Sequence, residues 1–197
     1  MSIQREEAAA MSRSPFDRIA PPAKPSPCIS LIGMAGVGKS TIGLALAREL
    51  GWAFVDSDCI IEALYGVRLQ TITDELGKDA FLDVEEGVVA SLRLQRAVVA
   101  TGGSVVYRER CMRHLRSMGP VIHLDAPLEV IEERIARNPQ RGLAIAPGQS
   151  IADIFHERET LYRRYRTLRC EAHPYTPAQC VRWILAHSDL AALSEAN

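Results

Sequence analysis

No run in this 197-residue chain approaches the ~20 apolar residues that a membrane-spanning helix needs. The first 27 residues also lack the apolar core of a secretory leader. They hold Pro15, Pro21, Pro22, Pro25 and Pro27 among charged and small residues, the composition of a disordered tail. Glu6, Glu7, Asp17 and the prolines argue against an amphipathic transit peptide, so the cytoplasm is the expected compartment. A formal charge of −1 gives no reason to expect nucleic acid or a membrane surface as partner. The five cysteines, Cys28, Cys59, Cys111, Cys170 and Cys180, are odd in number and form no C-x-x-C pair. That argues against a disulfide framework or a zinc site, and all five are expected to be buried, inert thiols. His114, His156, His173 and His187 show no metal-ligand spacing, and His123, inside an apolar run, reads as a satisfied core residue. There is no internal repeat.

What is present is the composition of a soluble globular domain, 47% hydrophobic and 24% charged. One domain over 28–186 is expected, between the tail 1–27 and a C-terminal tail 187–197. The segment Gly33-Met34-Ala35-Gly36-Val37-Gly38-Lys39-Ser40-Thr41 fits G-x-x-x-x-G-K-[ST], the phosphate-binding loop. Gly33, Gly36 and Gly38 let consecutive backbone N–H groups turn inward on a polyphosphate. Lys39 can reach its terminal phosphates, and the Ser40 hydroxyl can ligate the Mg²⁺ they carry. The context fits: residues 28–32 read as a buried strand. Ile42, Leu44, Ala45, Leu46, Ala47 and Leu50 read as a helix closed by Gly51, whose positive end adds to the anion site. The chain is expected to bind a nucleoside triphosphate.

Residues 52–56 read as a second strand with Asp56-Ser57-Asp58 at its carboxyl end, where open α/β sheets bind ligands. If the chain stays extended, the two carboxylates share a side. One can serve the Mg²⁺ shell while the other accepts a proton from, or orients, an attacking hydroxyl; Asp58 can also cap the next helix. That helix holds Ile60, Ile61, Leu64 and Tyr65 and stops at Gly66. Residues 69–96 alternate helix and turn around Gly77, with Phe81, Val84, Val88, Val89 and Leu92 inward. Strands follow at 98–100, ending in Thr101-Gly102-Gly103-Ser104, and at 121–124. A helix opens at Pro127 and runs to about Ala136, with Val130, Ile131 and Ile135 inward. Residues 138–150, with Arg137 and Arg141 among prolines and glycines, suit either a lid or a solvated basic loop. A charged helix over 151–169, a weak strand at 170–173 and a last helix over 178–186 complete the pattern.

From about Ile29 to Leu185 these residues resemble the shikimate kinase family of small phosphate-loop kinases, related to the nucleoside monophosphate kinases. Asp56-Ser57-Asp58-Cys59-Ile60-Ile61-Glu62 looks like its D-x-D-x-x-I-E, and Gly77 to Glu85 like its G-E-x-x-F-R-x-x-E. Thr101 to Ser104 falls on its G-G-G turn, Leu124-Asp125 with Arg134 on its L-[DS]…R segment, and Arg158 to Tyr162 on its R-x-x-L-Y. The resemblance implies an α/β P-loop NTPase fold, a five-stranded parallel sheet flanked by helices, nucleoside-monophosphate-kinase-like and with a lid over about 138–150. It implies ATP and Mg²⁺, a small hydroxy-carboxylate acceptor and a monomer. Gly33, Gly36, Gly38, Lys39, Ser40 and Thr41 would serve the nucleotide, with Ser40 and Asp56 at the metal. Asp58 would hold the acceptor hydroxyl, Gly102 and Gly103 would approach the acceptor, and Arg158 would pair with its carboxylate. Arg141 would reach over the phosphates, and Arg134 and the Thr176-Pro177 turn would pack near the adenine. Lys39, Asp58 and Arg141 are thus the expected catalytic groups.

The chain departs from the family at the acceptor side. Leu82 stands where a second carboxylate-binding arginine is expected, Ser104 replaces the third glycine, and Arg141-Gly142-Leu143-Ala144 replaces R-P-L-L. Losing a guanidinium–carboxylate pair in a desolvated pocket costs roughly 2–5 kcal/mol. The charge balance left behind suits a hydroxy-amino acid such as homoserine, so that acceptor is expected first. Shikimate itself is the alternative. Gluconate- and adenylate-kinase-like activities are further off, and a nucleotide-binding module without catalysis is a third class.

Overall fold

The computed structural model describes residues 26–138, 142–146 and 148–188. The expected tail, except Ser26 and Pro27, therefore lies outside the described residues, as do Arg141 and residues 189–197. Among the described residues no helix is long and apolar enough to cross a membrane.

The elements alternate as expected, apart from a helix over 109–118 that the sequence reading did not include and a last strand two residues earlier than expected: β1 (Ile29–Ile32), α1 (Lys39–Leu50), β2 (Ala53–Asp56), α2 (Ser57–Tyr65), α3 (Leu69–Ser91) and β3 (Ala97–Ala100). A short 3-10 turn, Val105–Tyr107, precedes α4 (Glu109–Met118), β4 (Val121–Asp125), α5 (Leu128–Ala136), α6 (Ile151–Tyr165), β5 (Leu168–Glu171) and α7 (Pro177–His187). The five strands form one parallel sheet in the order β2-β3-β1-β4-β5. β1, β3 and β4 are covered on both faces and carry continuous apolar runs; β2 and β5, at the edges, are more exposed. The chain leaves β1 for β2, passing over the place that β3 later fills, and returns to β4 on the other side. The carboxyl end of β1 is therefore the switch point of the sheet, and the phosphate-loop sequence sits there.

Gly51 and Gly66 stop α1 and α2 in the left-handed conformation, as their positions predict. Two boundaries differ from expectation. The charged helix α6 ends at Tyr165 rather than near residue 169, because β5 begins at Leu168 and pairs with β4 from Ile122↔Leu168 to Asp125↔Glu171. Gly77 interrupts α3 without a turn: its φ of 72° and ψ of 174° place a kink inside one continuous element. The main core lies on both sides of the sheet. A smaller cluster of Ile61, Leu69, Ile72, Phe81, Val88 and Ala144 joins α2 and α3 to the loop after α5. Four cysteines are buried as expected, but Cys59 is exposed, because Ser57 and Ile61 are the buried positions of α2. Burial, followed by the charges of Asp56, Glu62 and Asp58, still raises its pKa, so its thiolate is disfavoured.

The kink at Gly77 uses a conformation open almost only to glycine, and a Cβ there would meet nothing within 4 Å. Gly77→Ala is therefore expected to destabilise by about 1–3 kcal/mol through backbone strain alone, read as a lower urea midpoint with an unchanged m-value.

Candidate active site

The site grows out of β1. Gly33 follows the strand with φ 141°, and a Cβ there would collide with the carbonyl oxygen of Leu124 on β4. Only glycine lets the loop turn this close to the neighbouring strand. The Lys39 ammonium folds back under the loop and donates to the carbonyls of Gly33 and Met34 at 2.8 and 2.9 Å. Arg134 of α5 braces the loop from outside, donating to the carbonyls of Gly36 and Val37 at 3.2 and 3.1 Å. Helix α1 begins with Gly38 as its cap, no side-chain cap and no acidic residue in its first turn. Its leading N–H groups are left to an anion.

Asp56 ends β2 and faces this helix end. Its Oδ2 accepts from Ser40 Oγ at 2.6 Å, and its Oδ1 accepts from the Asp58 backbone N–H at 3.0 Å. Asp56, not Asp58, is thus the cap of α2, and the chain turns helical at Ser57 instead of staying extended. Asp58 is thereby swung into the cleft, which is lined by Ala35, Gly36, Gly38, Lys39 and Ser40, by Asp58, by Thr101 to Ser104, and by Leu69, Phe81 and Gly142. Thr101 is tied to β1 through its N–H and hydroxyl, both donating to Leu31 O, at 3.2 and 3.0 Å. Gly102 N–H donates to the buried Ser57 hydroxyl at 3.2 Å. A Cβ on Gly102 would collide with Glu85 and stand 2.9 Å from Asp58 Oδ1, which makes the glycine a packing necessity.

Arg158 of α6 is 1% exposed. Its Nε donates to Tyr107 Oη at 3.2 Å and its Nη2 to Ala144 O at 2.8 Å, while a Cβ on Gly103 would lie 3.1 Å from its Nη1. Tyr162, one turn on, donates to Gly103 O at 2.7 Å and stacks on His123 at 4.7 Å. His123 is a core residue kept neutral by burial, although its Nδ1 has no hydrogen-bond partner among the described residues.

The expected residues are therefore partly gathered. Gly36, Gly38, Lys39, Ser40, Asp58, Gly102 and Gly103 line one cleft, with Asp56 and Arg158 immediately behind it. Gly33 shapes the loop from beneath, and Thr41 is exposed outside the cleft lining. Arg134 meets the loop backbone, while Pro177 opens α7 beyond β5, away from the cleft lining. Leu82 is 4% exposed and does not line the cleft; Phe81 does. The leucine is buried, as Phe81 and Glu85 on the same helix are. Leu143 and Ile145 are half-buried against the core and Ala144 is buried, so the described part of the loop is docked rather than solvated.

Two functional positions escaped the sequence reading. Ser57 looked like a spacer between carboxylates. Glu85 was counted only as part of a motif, yet it stands among the buried positions Phe81, Leu82, Val88 and Val89 of α3, a lone carboxylate on an apolar face. It is wholly buried; Ser104 Oγ donates to its Oε2 at 2.8 Å, and Oε1 has no hydrogen-bond partner among the described residues. Burial, reinforced by the charge of Asp58, pushes its pKa up from 4.5 to about 8. Near neutral pH Glu85 is thus protonated.

A raised carboxyl pKa means that the folded state holds a proton the unfolded state has lost. The stability tied to that proton is complete below 4.5 and disappears as pH rises through about 8. Denaturant unfolding of the free protein is expected to show stability falling from pH 6 to pH 9, with the slope strongly reduced in Glu85→Gln. An unchanged slope in that variant would assign the pH dependence to other groups.

The family model for shikimate kinase matches residues 35–188. The shikimate kinase of Nitratidesulfovibrio vulgaris is 40% identical over 141 residues, covering 68% of this chain and 80% of that protein. That of Persephonella marina is 35% identical over 158 residues, covering 80% and 96%. The solved shikimate kinase from Acinetobacter baumannii, in complex with shikimate, superposes with a TM-score of 0.75 at 30% identity, covering 86% of this chain and 94% of that one. With its phosphate loop at the switch point of a five-stranded parallel sheet, the chain belongs to the shikimate kinase family of ATP-dependent phosphotransferases.

Proposed function

We propose that this chain transfers the γ-phosphoryl group of ATP to a hydroxyl of shikimate. The hydroxy-amino acid acceptor expected from Leu82 loses its footing, since Leu82 does not line the cleft and the named relatives are shikimate kinases. The observation that carries the proposal is Arg158: a cation 1% exposed, held by neutral oxygens beside Gly103 and ready for a carboxylate. The cleft divides by charge. Lys39 and the open end of α1 receive the phosphates; Asp58 and the β3 turn hold the acceptor. Asp58 orients the acceptor hydroxyl and takes its proton as the oxygen–phosphorus bond forms and the bond to the leaving diphosphate oxygen breaks.

Ser40 Oγ and Asp56, 2.6 Å apart at the phosphate end, are hard oxygen donors of the type that Mg²⁺ takes, and they fit that ion. When bound with the nucleotide, Mg²⁺ supplies neutralisation of phosphate charge. The resemblance gives the lid role to Arg141, which lies outside the described residues. A binding module without catalysis is disfavoured because Lys39, Ser40 and Asp58 line one cleft and Asp56 is bonded to Ser40.

A coupled assay with ATP, Mg²⁺ and either shikimate or homoserine tests the acceptor; turnover with shikimate and little with homoserine is expected, and the reverse would overturn the assignment. Lys39→Ala is expected to lower turnover on the order of 10²–10³-fold with the fold intact. Asp58→Asn should lower kcat while ATP still binds; a rate equal to the parent's would remove Asp58 from the chemistry.

A further inference from the structure

We propose that Lys78 is a second cation of the acceptor site, acting beside Arg158 on the acceptor's carboxylate and so helping to set specificity. This rests on the reading that the acceptor is a small carboxylate. The kink at Gly77 makes Lys78 the first residue of a new helical run, and 78, 82 and 85 fall on one face of it. Phe81 on this run lines the cleft and Glu85 packs under Gly102. Lys78 is half-buried between exposed neighbours, because its chain lies over Tyr107 with Nζ 4.7 Å from the ring centroid. Arg158 Cζ stands 5.1 Å from the centroid of the same ring.

Two cations therefore share one aromatic ring. Among the described residues neither Lys78 nor Arg158 takes part in an ion pair; the nearby Arg108 is instead paired with Asp83 and Glu86. The other polar contact of Lys78 is neutral, Gln149 Oε1 at 3.5 Å, and that oxygen also accepts from Ala146 N–H at 3.1 Å. Neither cation lines the cleft itself, but Arg158 backs its Gly103 wall. One carboxylate is near, Glu157, which accepts from Gln149 Nε2 at 3.2 Å, so the two cations over Tyr107 keep an excess of positive charge for an anion that carries a hydroxyl.

The test compares full-length wild type, Lys78→Met, Lys78→Arg and Gln149→Ala in steady-state kinetics with ATP and Mg²⁺, alongside calorimetric binding of shikimate. Lys78→Met is expected to raise the shikimate KM about tenfold, the weight of a half-exposed charged contact, with kcat and the ATP KM nearly unchanged. Lys78→Arg should restore most of the loss, and the wild-type KM should rise with salt more steeply than that of Lys78→Met. An unchanged KM in Lys78→Met overturns the proposal. So does a Gln149→Ala variant that reproduces the loss, since Lys78 would then act only as a tether for the loop. Wild type that binds shikimate without phosphorylating it would sink the assigned activity and leave the Lys78 comparison readable in the binding data. Absence of binding as well would overturn both.

Discussion

A guanidinium sealed inside the protein without a carboxylate against it is the constraint around which the site is arranged. Burying a charge costs several kcal/mol unless its hydrogen bonds are met. Arg158 meets them with neutral oxygens, Tyr107 Oη and Ala144 O, and so keeps its net charge. Those contacts tie α6 to the loop just before it and to the 3-10 turn after β3, whose Tyr107 is 51 residues away. Tyr162, on the same helix, fixes Gly103 through its carbonyl. The acceptor end of the cleft is therefore rigid on three sides and positive.

The middle of the cleft needs the opposite arrangement, and desolvation provides it. Two carboxylates flank Gly102, and they cannot both ionise cheaply in a space closed to water. Glu85 is wholly buried and Asp58 is half-exposed, so the proton stays on Glu85. Burial thus sets the state of the carboxyl that faces the core. Glu85 holds the β3 turn as a neutral group through Ser104, while Asp58 lines the cleft.

Local chemistry was readable in the sequence where it is set by neighbours in the chain. The glycine-rich loop, the stops at Gly51 and Gly66 and the apolar runs of β1, β3 and β4 follow from spacing alone, and all are found. The choice between Asp56 and Asp58 as helix cap did not follow, because it turns on whether the chain leaves the strand at residue 56 or two residues later. Ser57 and Glu85 were missed for another reason: their partners, Gly102 and Ser104, lie 45 and 19 residues away. Cys59 was misjudged because burial on a short helix depends on which side faces its neighbours, and Ser57 and Ile61 are the buried positions of this one.

The expectation of a hydroxy-amino acid counted charge along the sequence instead of in space. Leu82 replaces an arginine in the family pattern and Ser104 replaces a glycine, and taken separately each suggests an altered pocket. In the structure Ser104 donates its hydroxyl to Glu85, and Leu82 lies one helical turn before that residue. A charged Glu85 would need a cation beside it; a protonated one needs a hydroxyl partner and an apolar neighbour. Leucine and serine here suit the second state, with Ser104 as the hydroxyl partner. Asp58 lines the cleft and Arg158 stands behind Gly103, so the cation and the carboxylate near the β3 turn do not depend on Leu82.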